Sequence, residues 1–190
     1  MSPEALQALR SRIRRAQQAA RKPRAEGYEQ EHTLEDGTTH QYSIVGIKSP
    51  EQLEDELLAL FVWVWSLKDY LKAVYKTRGL DPSFVERVVN ESRALQYVAD
   101  IANRAKHGVL RTSRSGAFAE LIDVGFTVPQ SSIAKITVGA FAVGMDITNL
   151  DDVELLAFVK ANEGEAADAF TVLAEALGAW ETHVISRIAP

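Results

Sequence analysis

The stretch Leu53-Glu54-Asp55-Glu56-Leu57-Leu58-Ala59-Leu60-Phe61-Val62-Trp63-Val64-Trp65-Ser66-Leu67-Lys68-Asp69-Tyr70-Leu71-Lys72-Ala73-Val74 decides the fold. Leu53, Leu57, Leu60, Val64, Leu67, Leu71 and Val74 recur at spacings of 4-3-4-3-4-3, three heptads of a helix–helix seam. Phe61, Trp63 and Trp65 widen the apolar surface beyond one stripe. A helix that is apolar on more than one face is central to a fold or lies in an oligomer interface. The expectation is therefore a homodimer through the Leu53–Val74 helix. The tryptophans here, with Trp180, read as packing residues rather than a ligand cage, because large aromatics dominate packing energy.

Outward from this helix, Ser49-Pro50-Glu51-Gln52 supplies an N-cap, a proline at the first helical position and a capping-box glutamine. Lys76, Arg78 and Gly79 mark its C-terminal end. A second helix opens at Asp81-Pro82-Ser83 and carries the seam through Phe84, Val88, Leu95, Val98, Ala102 and Ala105 to Gly108. The short loop makes the two helices antiparallel neighbours. A third bundle helix is expected over residues 165–188, with Phe170, Leu173, Leu177, Trp180 and Val184 on one face.

Between the second and third helices the composition turns to Val, Ile, Thr, Phe and Gly. Phe118 to Val128, Ile133 to Ile147 and Val153 to Lys160 read as three strands of an antiparallel meander. Before the bundle, Asp36-Gly37 reads as a type I′ turn joining two strands within residues 28–45. Residues 3–22 read as an N-terminal helix, with Ser2 as its cap. The expected fold class is α+β: mainly a helical bundle, with an inserted three-stranded antiparallel sheet and a basic N-terminal helix. The expected organisation is a basic arm over 1–26, a hairpin or linker over 27–48, and a bundle over 49–190 with the sheet inserted at about 117–161.

Charge is unevenly placed. Residues 1–26 hold seven basic and two acidic groups, a balance of +5; the rest holds 14 basic and 24 acidic, a balance of −10. Such an arm contacts a nucleic acid, an acidic partner or its own acidic body. Residues 10–24 are the segment expected to do so, although no aromatic interleaves to stack on bases. The longest apolar run, Leu57 to Trp65, has nine residues, whereas a membrane span needs about 20. No membrane partner and a cytoplasmic location are expected. The chain has no cysteine, so disulfides and thiolate chemistry are excluded.

The candidate chemistry lies at the end of the second helix. Gln96, Asp100, Asn103 and His107 share one helical face at spacings of 4-3-4. A carboxylate, an amide and an imidazole so placed can orient a water or a phosphate. Asp100, Asn103 and His107 are the candidate catalytic residues. Arg104, Lys106, Arg111 and Arg114 are the candidate phosphate ligands, the last two in the cationic loop Arg111-Thr112-Ser113-Arg114-Ser115-Gly116. The structural alternative stays open: His107 suits the helix dipole, and Asp100 can pair with Arg104 at i,i+4. Histidines at 32, 40, 107 and 183 are scattered and there is no HExxH, so no metal site is expected. Phosphate-loop and dinucleotide fingerprints are missing, so no cofactor is expected.

Leu67-Lys68-Asp69-Tyr70-Leu71 on one helix and Asp100-Ile101-Ala102-Asn103-Arg104-Ala105-Lys106-His107 on the next resemble HEPN-type helical domains over about residues 50–108. The likeness is to bacterial and phage relatives whose helix ends in Asn-x-x-Lys-His. Many active HEPN proteins are metal-independent ribonucleases acting as dimers, with an Arg followed by four to six residues and then a His. Only two residues lie between Arg104 and His107, so that motif is absent. The resemblance implies a non-catalytic interaction or regulatory protein touching nucleic acid through cationic segments. The alternative is a ribonuclease or nucleotide-processing enzyme of toxin or defence type.

Overall fold

A computed structural model describes residues 3–188. Ser2, the expected first cap, lies outside the described residues. The chain is α+β, about half helix and a quarter strand. It divides into two compact units that are discontinuous in sequence. One comprises Met1–Ala19, Asp55–Asp123 and Ala157–Pro190; the other comprises Ala20–Glu54 and Val124–Leu156.

In the first unit the seam helix forms as its caps dictate. It is α2, Pro50–Thr77, whose first residues belong to the second unit. Ser49 Oγ accepts the Gln52 N–H at 3.0 Å, satisfying a donor left over by the first turn. Gly79, at φ +70°, turns the chain, and the Leu80 N–H returns to the Tyr75 carbonyl at 2.9 Å. Leu57, Leu60, Phe61, Val64, Leu67 and Leu71 are fully buried. The seam that pointed to a homodimer is thus consumed within a single chain, and the ground for a dimer through Leu53–Val74 is gone.

The other helices of this unit are α3 (Ser83–Glu91), α4 (Arg93–His107) and α5 (Ala169–Ala179). The expected single rod over 82–107 is two helices. Ser92, at φ −103° and ψ 110°, leaves the helical region, and its Oγ accepts the Leu95 N–H at 3.3 Å as the cap of α4. Asp168 caps α5 in the same way, accepting the Thr171 N–H at 2.7 Å. The last helix continues as a π turn over Trp180–Val184 and a 3₁₀ turn over Ile185–Arg187, where the Ile188 N–H bonds the Ile185 carbonyl and leaves the Val184 carbonyl to accept the Tyr75 hydroxyl at 3.0 Å. Trp180 is fully buried and donates its indole N–H to the Val64 carbonyl. The N-terminal helix α1, Pro3–Ala20, is part of this unit up to Ala19. It buries Leu6, Leu9 and Ile13, and Arg10 clasps Glu181 at 2.6 and 2.9 Å.

The strands overturn the remaining expectation. β1 (Arg24–Thr33) and β2 (Thr39–Ile47) form the expected hairpin. Its turn is longer than two residues: Leu34 and Thr38 close it, with Gly37 at φ +83°. The strand read over 133–147 is two, β4 (Ile133–Val138) and β5 (Ala142–Ile147), reversed at Gly139. β5 then pairs in parallel with β2, giving a mixed four-stranded sheet in the order β1-β2-β5-β4. β3 (Glu120–Thr127), β6 (Glu154–Lys160) and the short β7 (Ala167–Asp168) make an antiparallel sheet in the order β3-β6-β7. The fold is therefore not mainly a helical bundle with one inserted three-stranded meander. The meander segments divide between two sheets, and the hairpin is a full member of the larger one.

The second unit packs around Ile47, Ile147 and Val153, with Tyr28, Ile44, Phe126, Val128 and Met145 against them. Gly46 is required where β2 nears β5. Its φ is +97°, and a Cβ there would stand 2.8 Å from the Ile147 carbonyl oxygen.

Candidate functional site

Helical spacing puts Gln96, Asp100, Asn103 and His107 on one face of α4. The shared face is real, but it passes through three surroundings. Gln96 lies at a cleft of about 460 Å³ with Arg93, Tyr97, Ser115 and Asn162, and it donates to the Asn90 carbonyl. Asp100 is 1% exposed. Its Oδ2 accepts the Ser113 hydroxyl at 2.7 Å and the Ala119 N–H at 3.1 Å. Asn103 and His107 reach an open recess of about 600 Å³ shared with Val109, Leu110, Arg111 and Thr112.

These placements follow from local sequence. Gly108, at φ +73°, ends α4 with its N–H on the Arg104 carbonyl at 2.8 Å. The polar loop from Val109 to Phe118 must then be fastened, since it is rich in small hydroxyl residues with little apolar area. Asp100 does this by taking one side-chain and one backbone donor from the loop and its exit, and Ser115 accepts the Ala117 N–H at 3.1 Å. The carboxylate is thereby a loop anchor, shut away from solvent.

The candidate phosphate ligands separate as well. Arg104 faces Glu120 at 3.6 Å rather than Asp100. Arg114 is held by Glu86 at 2.7 Å. Lys106, His107 and Arg111 remain exposed, and Val109 beside them is 69% exposed. The end of α4 is therefore a cationic, partly apolar surface with one amide and one imidazole at its recess.

A second cationic group lies outside the stripe that the helical spacing singles out. Glu86 on α3 receives Lys72 at 2.7 Å, Arg114 at 2.7 Å and Lys68 at 3.9 Å. Lys68 lies 4.4 Å from the centre of the Trp65 ring, and Arg114 stands 6.0 Å from it. Burial by itself would push the Glu86 carboxyl up, but Lys72, Arg114 and Lys68 outweigh it and hold it down at about 2. The i,i+4 spacing of Lys68 and Lys72 is the one signal the sequence offers for this group. Only tertiary contact brings Arg114 and Glu86 to them.

Among the described residues, no group of three or more histidine and carboxylate side chains is placed to hold a metal ion. Among the same residues, no helix is long and apolar enough to cross a membrane. No protein family, curated protein or solved structure matches the chain. The HEPN likeness accordingly rests on the quoted helix residues alone, and the separate α3 and α4 and the two sheets give it no further support.

Proposed function

We propose that the protein is a non-catalytic binding protein that engages nucleic acid through the cationic end of α4 and the loop after it. The observation that carries this reading is the fate of Asp100. General acid–base work needs a titratable group within reach of the reacting atoms. Asp100 is enclosed, and both donors facing it are structural. Lys106 and Arg111 are left exposed beside Asn103 and His107, which suits contact with phosphates rather than cleavage of their esters. Arg14 and Arg15 on α1 add exposed charge, while Arg10 is spent on Glu181.

The test is fluorescence anisotropy of a labelled single-stranded RNA over a salt series. Each of Lys106→Ala and Arg111→Ala is expected to weaken binding and to lower the salt slope by about 0.7 for each phosphate no longer neutralised on a single strand. The RNA is expected to stay intact without metal, in the wild type and in His107→Ala alike. Absence of salt-dependent binding would remove the nucleic-acid reading. Cleavage that disappears in His107→Ala would restore the ribonuclease reading.

A further inference from the structure

We infer that Lys68, Lys72 and Arg114, gathered around Glu86 beside Trp65, form a subsite for a phosphoryl group. It stands apart from the recess of Asn103 and His107, and it does not depend on that surface binding nucleic acid.

Charge balance is the first ground. A structural ion-pair network tends toward balance, because unpaired charge at close range is repulsive. Here three cations converge on one carboxylate. Asp69 also lies 3.8 Å from Lys68, but its side chain is 71% exposed, so water screens most of that attraction. The cluster keeps an excess of nearly two positive charges. Its members are partly withdrawn from solvent, with side-chain exposures of 18% for Lys68, 38% for Lys72 and 36% for Arg114. Partial burial strengthens the mutual repulsion and raises the gain from an added anion.

Donor capacity points the same way. A lysine ammonium offers three N–H groups and a guanidinium five. Glu86 occupies only part of this set, and its place between Lys72 and Arg114 holds both heads toward one spot. A phosphoryl group brings about two negative charges and several strong acceptor oxygens, which matches the excess. A carboxylate ligand would supply one charge and leave the cluster unbalanced. Lys68 is steadied on the face of Trp65, so ordering it costs little further side-chain freedom. The ligand is therefore a phosphate monoester or pyrophosphate-type group on a small molecule; a polynucleotide backbone, with one charge per phosphodiester, leaves the cluster unbalanced as a carboxylate does.

The full chain is used, with inorganic pyrophosphate as the probe and no metal, read by thermal unfolding at fixed ionic strength. Pyrophosphate is expected to raise the wild-type melting temperature saturably, where chloride of equal ionic strength does not. Glu86→Gln removes the internal counter-charge. It is expected to melt lower without anion and to bind pyrophosphate about tenfold more tightly, as removal of one competing charged group implies. Lys72→Met and Arg114→Gln relieve repulsion, so they keep the fold, and they are expected to lose the pyrophosphate response. A response that persists in both overturns the subsite, as does a wild type that does not respond. Lys106→Ala and Arg111→Ala are expected to retain the response, which separates this subsite from the end of α4. Displacement of pyrophosphate by single-stranded RNA overturns the assignment to a doubly charged small phosphate ester, and lack of displacement sustains it.

Discussion

Two donors, the Ser113 hydroxyl and the Ala119 N–H, converge on one Asp100 oxygen; the buried Ala119 N–H depends on it, whereas half-buried Ser113 also has the Ser115 hydroxyl at 3.3 Å. Asp100→Ala would leave the Ala119 N–H buried and unsatisfied and would release the Ser113 tether of the loop. It is expected to cost about 2–4 kcal/mol in denaturant unfolding. His107→Ala, on an exposed last turn, should stay within about 0.5 kcal/mol of wild type by the same measurement. That contrast checks the division of a single helical face into anchor and surface. The helical period identifies the face, but burial is set by what lies opposite, and the loop that covers Asp100 comes from sequence 13 to 19 residues further on. Glu86 gives a pH signature at the same scale. Its carboxyl titrates at about 2 in the folded chain against an ordinary 4.5. A lowered folded-state value means that its contribution is complete above pH 4.5 and is lost as pH falls toward about 2. Acid unfolding followed by circular dichroism is expected to show a shallower loss over that interval in Glu86→Gln.

Caps and seams carry the elements. α2 begins and ends where Ser49, Pro50 and Gly79 place it, because those residues act on the backbone next to them. Ser92 acts locally too, yet the seam reads smoothly across it, since Val88 and Leu95 keep helical spacing on either side. A broken helix and an unbroken one bury the same apolar positions, so periodicity alone does not separate them. Ser92→Ala removes the cap of α4 and is expected to cost about 1 kcal/mol in thermal unfolding. Leu60→Ala, at a fully buried heptad position, should cost about 2–5 kcal/mol. Gly139 reads equally as a bulge within one strand. Strand propensity reports a pleated, half-buried setting and does not count strands, and the reversal there shows in the Gly139 N–H to Ala142 carbonyl bond at 2.7 Å and the antiparallel β4–β5 pairing.

Across the molecule, each unit draws on segments far apart in the chain. α1 belongs to the body through Leu6, Leu9 and Ile13 and through the Arg10–Glu181 pair, so it is not a detachable basic arm. Removing residues 1–19 is expected to lower the unfolding temperature strongly, since each of those three side chains contributes about 1.5–3 kcal/mol of burial; calorimetry of the shortened chain checks this. The α+β class, the α2 seam and its caps, and the β1–β2 hairpin are written locally, because short-range backbone chemistry and periodicity fix them. Sheet membership, the parallel β2–β5 pairing, the enclosure of Asp100 and the meeting of Lys68 and Lys72 with Arg114 are not. Those depend on which distant surfaces are complementary in shape and charge, and one-dimensional spacing holds no record of that until the chain has folded.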